Sequence, residues 1–185
     1  MSVLKNVLSQ WYRYLLWALM SVFFWGWIFG LLTDARPEKK LVLCVDRPEI
    51  AEEALSEELE RRRPEGIKLV AAHSFDYYIF DTEELRLADL YIVGENEAEK
   101  YIESFLPLEE TGLPTEGRAL WTYEGRAYGL LVFDPAEGGG VAASYVRYVS
   151  EEEPPQRYYL FFGAESPHRE DGNALRLAEV LLDLP

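Results

Sequence analysis

Cysteine is nearly absent: the 185 residues include one, Cys44. It can form no internal disulfide, and there is no cysteine pair to indicate a redox compartment. Its setting, the apolar run Leu41-Val42-Leu43-Cys44-Val45, makes it a buried strand residue, because an unoxidised thiol behaves as a small hydrophobe. Histidine is almost as scarce. With only His73 and His168 beside that cysteine, no Cys/His spacing supports a zinc site, which needs three or four ligands. His168, in Ser166-Pro167-His168-Arg169, reads as an exposed turn residue. A Gly-x-Ser-x-Gly elbow and a phosphate-binding Walker loop are also missing. Gly138-Gly139-Gly140 is not followed by Lys-Ser/Thr and reads as a flexible turn. Carboxylate pairs are abundant, but none stands out by spacing. The sequence therefore assigns no catalytic residue, metal or cofactor, and the chain is read as non-enzymatic.

Positive charge is short as well. The chain carries 18 Lys and Arg against 33 Asp and Glu, a formal net charge of −15. Residues 1–33 hold Lys5 and Arg13 and no acid, so every carboxylate falls in the remainder. A domain this acidic repels nucleic-acid phosphates and anionic headgroups, which excludes nucleic acid as a partner. Its acidity serves solubility, with recruitment of a basic partner or a cation as the other reading.

The segment Tyr14 to Leu32, YLLWALMSVFFWGWIFGLL, contains no charge. As a helix it would be about 28 Å long, close to the hydrocarbon thickness of a bilayer. Trp11, Tyr12 and Tyr14 at one end and Trp25 and Trp27 nearer the other resemble aromatic belts. The expectation is a single-pass anchor: residues 1–13 as a cytoplasmic segment, 14–32 as a transmembrane helix, 33–40 as a linker and 41–185 as the domain. A cleaved signal peptide is the competing reading, although its apolar region would be shorter, roughly 7–15 residues. Lys5 and Arg13 before the helix and Arg36, Lys39 and Lys40 after it leave the orientation nearly tied on charge. Gly26 and Gly30 form a GxxxG pattern that would let two such helices meet as a homodimer.

Beyond the linker the pattern changes. Leu41 to Val45 fits a strand buried on both faces. Pro48 suits the first turn of a helix, with Ile50, Ala51, Ala54, Leu55 and Leu59 as its apolar stripe. Glutamates load its start and Arg61-Arg62-Arg63 its end, which complements the helix dipole. Ile67 to Ala72 and Asp89 to Val93 read as strands, and Thr82 to Leu87 and Glu95 to Phe105 as helices. That alternation predicts an α/β domain of three layers on a mixed, mainly parallel sheet. Arg118 to Tyr123 and Arg126 to Phe133 flank Glu124-Gly125 as a hairpin. Val141 to Val149 and Arg157 to Phe162 are further strands. Asn173 caps a last helix whose face is Ala174, Leu177, Ala178 and Leu181.

Three of these segments together resemble the extracellular solute-binding proteins of bacterial ABC transporters. They are Ala88-Asp89-Leu90-Tyr91-Ile92-Val93, the hairpin Tyr123-Glu124-Gly125-Arg126-Ala127-Tyr128-Gly129-Leu130, and Tyr158 to Leu182 with its Glu165-Ser166-Pro167 turn. Where that family has a second lobe, only residues 134–156 intervene here. The resemblance therefore implies one lobe of a periplasmic binding protein, carried on a membrane anchor. It also implies that the N-terminus is cytoplasmic and the domain extracytoplasmic.

In open α/β sheets ligands sit beyond the carboxyl ends of the parallel strands. Here that edge would be built from Asp46 and Arg47, then Ser74, Phe75, Asp76, Tyr77 and Tyr78, then Gly94, Glu95 and Asn96. Phe75, Tyr77 and Tyr78 would offer stacking faces, and Asp46 and Asp76 hydrogen-bond acceptors, for a sugar, a peptide or a cation. The plain alternative is a loop whose aromatics pack on the sheet. Three functions follow in order: a module binding a small molecule as an accessory or sensory subunit, a module docking to a membrane protein partner, and a hydrolase with no residue to name.

Overall fold

The computed structural model of the chain describes residues 11–33, 36–46, 49–75, 82–149 and 154–185. It divides into two compact units, residues 1–36 and residues 37–185.

The first unit contains one helix, α1 (Trp11–Thr33). Trp17, Met20, Val22, Phe23 and Trp27 are among its exposed side chains. Nothing stands within 4 Å of where a Cβ on Gly26 would lie. The expected anchor is overturned here: among the described residues no helix is long and apolar enough to cross a membrane. The side chains described in α1 open on Trp11-Tyr12-Arg13-Tyr14 and continue with Trp17, Ser21, Trp25, Gly26 and Trp27 among the aliphatics. A guanidinium, phenols, indoles and small residues dilute the hydrocarbon along it. The single-pass topology needs that anchor, and the cytoplasmic N-terminus and extracytoplasmic domain, which the resemblance oriented across it, fall with it.

The second unit is an α/β domain. β1 (Lys40–Asp46) pairs in parallel with β3 (Leu69–Phe75) on one side and β4 (Leu90–Gly94) on the other. From β4 onward every neighbour is antiparallel. β10 (Tyr158–Gly163) pairs β4, β7 (Arg126–Asp134) pairs β10, and β6 (Leu120–Tyr123) pairs β7. The order is β3-β1-β4-β10-β7-β6, with β5 (Phe105–Leu106) on β10 and β8 (Gly139–Gly140) on β7. The sheet is thus mixed, with only β3, β1 and β4 mutually parallel, rather than mainly parallel. Parallel pairing requires crossovers of a dozen or more residues, which residues 47–68 and 76–89 supply, whereas β6 and β7 are joined by a two-residue turn. The hairpin β6–β7 forms as expected, because Glu124 (φ 49°) and Gly125 (φ 83°) supply the two left-handed residues of a tight turn.

Side chains alternate across the sheet. Leu41, Leu43 and Val45 of β1 enter one cluster, with Leu55 and Leu59 of α2 (Glu52–Arg61) and Leu177, Ala178 and Leu181 of α5 (Asn173–Leu182). Val42 and Cys44 enter the other, with Leu85 of α3 (Glu83–Arg86) and Ala98 of α4 (Glu95–Ala98). Three expected elements differ. The stripe on α2 shrinks to Leu55 and Leu59, since Ala51 and Ala54 are exposed and Ile50 lies in β2 (Glu49–Ile50). The helix expected over Glu95 to Phe105 is α only to Ala98 and continues as a 3-10 turn, Glu99–Ser104, while Phe105 starts β5. The strand expected over Val141 to Val149 is reduced to β9 (Val146–Arg147), which pairs β2. The glycines read as a flexible turn instead place Gly139 and Gly140 in β8.

Candidate functional site

The chain leaves β1 for β3 on one side, then crosses over β1 to reach β4 on the other. The connection therefore reverses between β1 and β4, and a crevice opens at the carboxyl ends of such a strand pair. Asp46 ends β1 and is buried, at 1% exposure. Its predecessor Val45 is in register with Ile92, two residues before Gly94 ends β4. Glu95 and Asn96 then open α4 with exposed side chains. Gln156 lies across this end: its Oε1 accepts from the Asn96 N–H at 3.2 Å. Its amide also occupies the space a side chain on Gly94 would need, 2.6 Å from that Cβ position. The Glu95 N–H donates to the Arg157 carbonyl at 2.9 Å, which ties α4 to the chain entering β10.

Of the expected edge residues, Asp46, Glu95 and Asn96 share this end, and Ser74 lies one strand away at the end of β3. The Ser74 N–H and hydroxyl both donate to Glu52 Oε1, at 2.8 and 2.9 Å. The backbone bond from Ser74 is the chief reason the Glu52 carboxyl lies below its ordinary range. Phe75 is not a stacking face for a ligand. It is 3% exposed and meets the Tyr91 ring edge-on at 6.4 Å, so the packing alternative holds for it. Arg47, Asp76, Tyr77 and Tyr78 lie outside the described residues. Among the described residues no group of His, Cys, Asp and Glu is arranged to hold a metal ion.

A second polar cluster went unseen in the sequence. Asp89, Ser166 and His168 are buried among apolar neighbours, which corrects the reading of His168 as an exposed turn residue: it is 1% exposed. Ser166 donates from Oγ to Asp89 Oδ1 at 2.5 Å, and the Val42 N–H donates to Asp89 Oδ2 at 2.7 Å. The His168 N–H donates to Ser166 Oγ at 3.0 Å, and its ring Nδ1 lies 2.7 Å from Asp171 Oδ2. Burial pushes Asp89 up to about 6, against the lowering pull of the Ser166 and Val42 hydrogen bonds. Serine, histidine and aspartate recur together in hydrolases, but here they are connected differently from a serine–histidine pair. The Ser166 proton points to Asp89, and His168 Nε2 faces backbone carbonyls, so the histidine ring is not the partner of the hydroxyl. The cleft beside it, lined by Thr111, Arg169 and Gly172, has room for about one water. The only sequence signal was the turn Ser166-Pro167-His168, whose depth depends on contacts far along the chain.

No protein-family model and no curated protein matches the chain. Among solved structures it is similar to thiaminase I from Bacillus thiaminolyticus, at 13% identity and a TM-score of 0.33. The similarity covers 50% of this chain and 28% of that protein. Thiaminase I is by its name an enzyme.

Proposed function

We propose that residues 37–185 form a small-molecule-binding module whose ligand sits at the carboxyl ends of β1 and β4. The observation that carries this reading is the reversal of chain direction between those strands, with Asp46 on one side and Glu95 and Asn96 on the other. Among the described residues, this edge offers a ligand hydrogen bonding by carboxylates, an amide and backbone. The test is thermal unfolding of the full chain against sugars, amino acids, peptides and metal ions. A ligand at about 100 times its Kd adds about 2.7 kcal/mol when it binds only the folded form. A midpoint rise with one class, lost in Asp46→Asn and Asn96→Ala, is expected. Flat responses, or a rise unchanged in both variants, would overturn the reading.

A second reading, docking to a protein partner, is favoured by the sheet edge. β6 is the last strand there, and its half-exposed Trp121 and Tyr123 stack at 6.1 Å and 5°. Aromatic side chains with an exposed face are common anchors of protein interfaces.

A further inference from the structure

His168 stands between two parts of the domain far apart in sequence. On one side are Ser166 and Asp171, in the turn region before α5. On the other is the entry segment, residues 37–40, where the domain begins after α1. Nε2 of His168 lies 3.2 Å from the Pro37 carbonyl and 3.2 Å from the Lys40 carbonyl. Carbonyl oxygens only accept, so Nε2 must carry a proton to bond either of them. Nδ1 faces the Asp171 carboxylate at 2.7 Å, and Asp171 Oδ1 already accepts from the Asn173 N–H at 2.8 Å. A carboxylate accepting on both oxygens requires the proton on Nδ1 as well. A neutral imidazole carries one N–H and can satisfy only one of these two sides.

We infer that His168 is held as a buried imidazolium that latches the entry segment Pro37–Lys40 to the turn 166–171, and that loss of its proton releases that segment. Among the described residues few charged groups face the ring. Asp171 bonds it directly, and Asp89 lies behind Ser166. Glu110 and Arg169 line the adjoining cleft and pair with each other at 2.9 Å. The entry segment offers carbonyls, while Glu38 and Lys39 are exposed. Burial opposes the charge on His168. The Asp171 hydrogen bond, the charges of Asp89 and Asp171 and the Pro37 carbonyl outweigh it and hold the ring above its ordinary range. A histidine raised in the folded state contributes stability that is complete below about pH 6.5 and lost as pH rises through the folded value. The latch is therefore closed in mild acid and opens toward alkaline pH.

The molecule contains its own reporter. The Lys68 N–H donates to the Lys39 carbonyl at 2.8 Å, so its exchange with solvent reads whether the entry segment is in place. The experiment uses the full chain labelled with 15N, with His73→Gln leaving His168 as the single histidine. Ring 15N shifts at pH 6.5 should show both nitrogens protonated. The protection factor of the Lys68 amide, corrected for intrinsic exchange, should fall at least about tenfold as the ring titrates. In His168→Gln that protection should be low and independent of pH. A neutral ring at pH 6.5, with one protonated and one bare nitrogen, would overturn the latch. So would a Lys68 protection factor that stays constant through the titration of the ring. Both readings come from the chain with His168 intact, so they decide the matter even if His168→Gln does not fold.

Discussion

The two faces of the sheet are built differently. On the face covered by α2 and α5, Leu41, Leu43, Val45, Leu90, Ile92 and Leu160 lie against Leu55, Leu59, Leu177 and Leu181, and the rings of this face gather in one group, Phe133, Tyr148 and Tyr158. The opposite face is a row of rings in sequential contact. Phe75 meets Tyr91, Tyr91 meets Phe105 at 5.6 Å, Phe105 stacks on Phe161 at 4.2 Å, and Phe161 meets Trp121 at 5.6 Å. The reason lies in the cover. α2 and α5 are ten residues each, whereas α3 and α4 are four residues each. Long helices bring their own leucines to a shared layer. Short ones bring little, so the strands supply the bulk themselves, and rings carry the most area per residue.

The comparison can be broken most severely at Gly163. A Cβ there would stand 2.0 Å from the Ala88 carbonyl oxygen and 3.2 Å from the Tyr91 ring. Gly163→Ala should cost about 3 kcal/mol or more, or prevent folding, as read by denaturant unfolding. Truncation of each face then sharpens the contrast. Phe161→Ala on the aromatic face should cost about 3–5 kcal/mol, and Leu177→Ala under α5 about 2–5 kcal/mol. If Phe161→Ala costs clearly less than Leu177→Ala, the ring row does not fill the place of the missing helices. The buried polar cluster is tested by pH. Asp89 is raised to about 6, so the folded chain holds its proton more tightly than the unfolded chain. Its contribution is therefore fully present below about pH 4 and is lost as pH rises to about 6. The difference in unfolding free energy between the native chain and Asp89→Asn should change over that window, by about 1–3 kcal/mol, and be level above it. The smallest effect concerns Tyr91, whose hydroxyl donates to the Leu85 carbonyl and anchors α3. Tyr91→Phe should cost about 0.5–1.5 kcal/mol in the same assay.

How much of this was legible varies with the range of the forces involved. β1 and α5 were readable because their signals are local: a continuous apolar run for one, and a face repeating at helical spacing for the other, with Ala174, Leu177, Ala178 and Leu181 all buried. The hairpin was readable because its turn chemistry is written in two adjacent residues. The helix over 95–105 was misread because Phe105 obeys a helical period but is drawn into β5 by pairing with Gly163. Phe75 was misread for the same reason. As a ring at a strand end it suits a ligand site, yet register with Asp46 carries it into the core. Asp46, Glu95 and Asn96 stand at the strand ends where they were expected, because that position follows directly from where the parallel strands stop.

By itself the sequence determined the α/β character of the domain, the strands β1, β3 and β4, the hairpin and the burial of Cys44, since each depends on periodicity or on neighbouring residues. Tertiary structure alone decided the antiparallel half of the sheet, the ring row, and the cluster that joins Asp89, Ser166 and His168 to the entry segment. Those features bring together residues 77 and 131 positions apart. Whether a polar side chain at such a point is buried depends on partners that no local pattern can name.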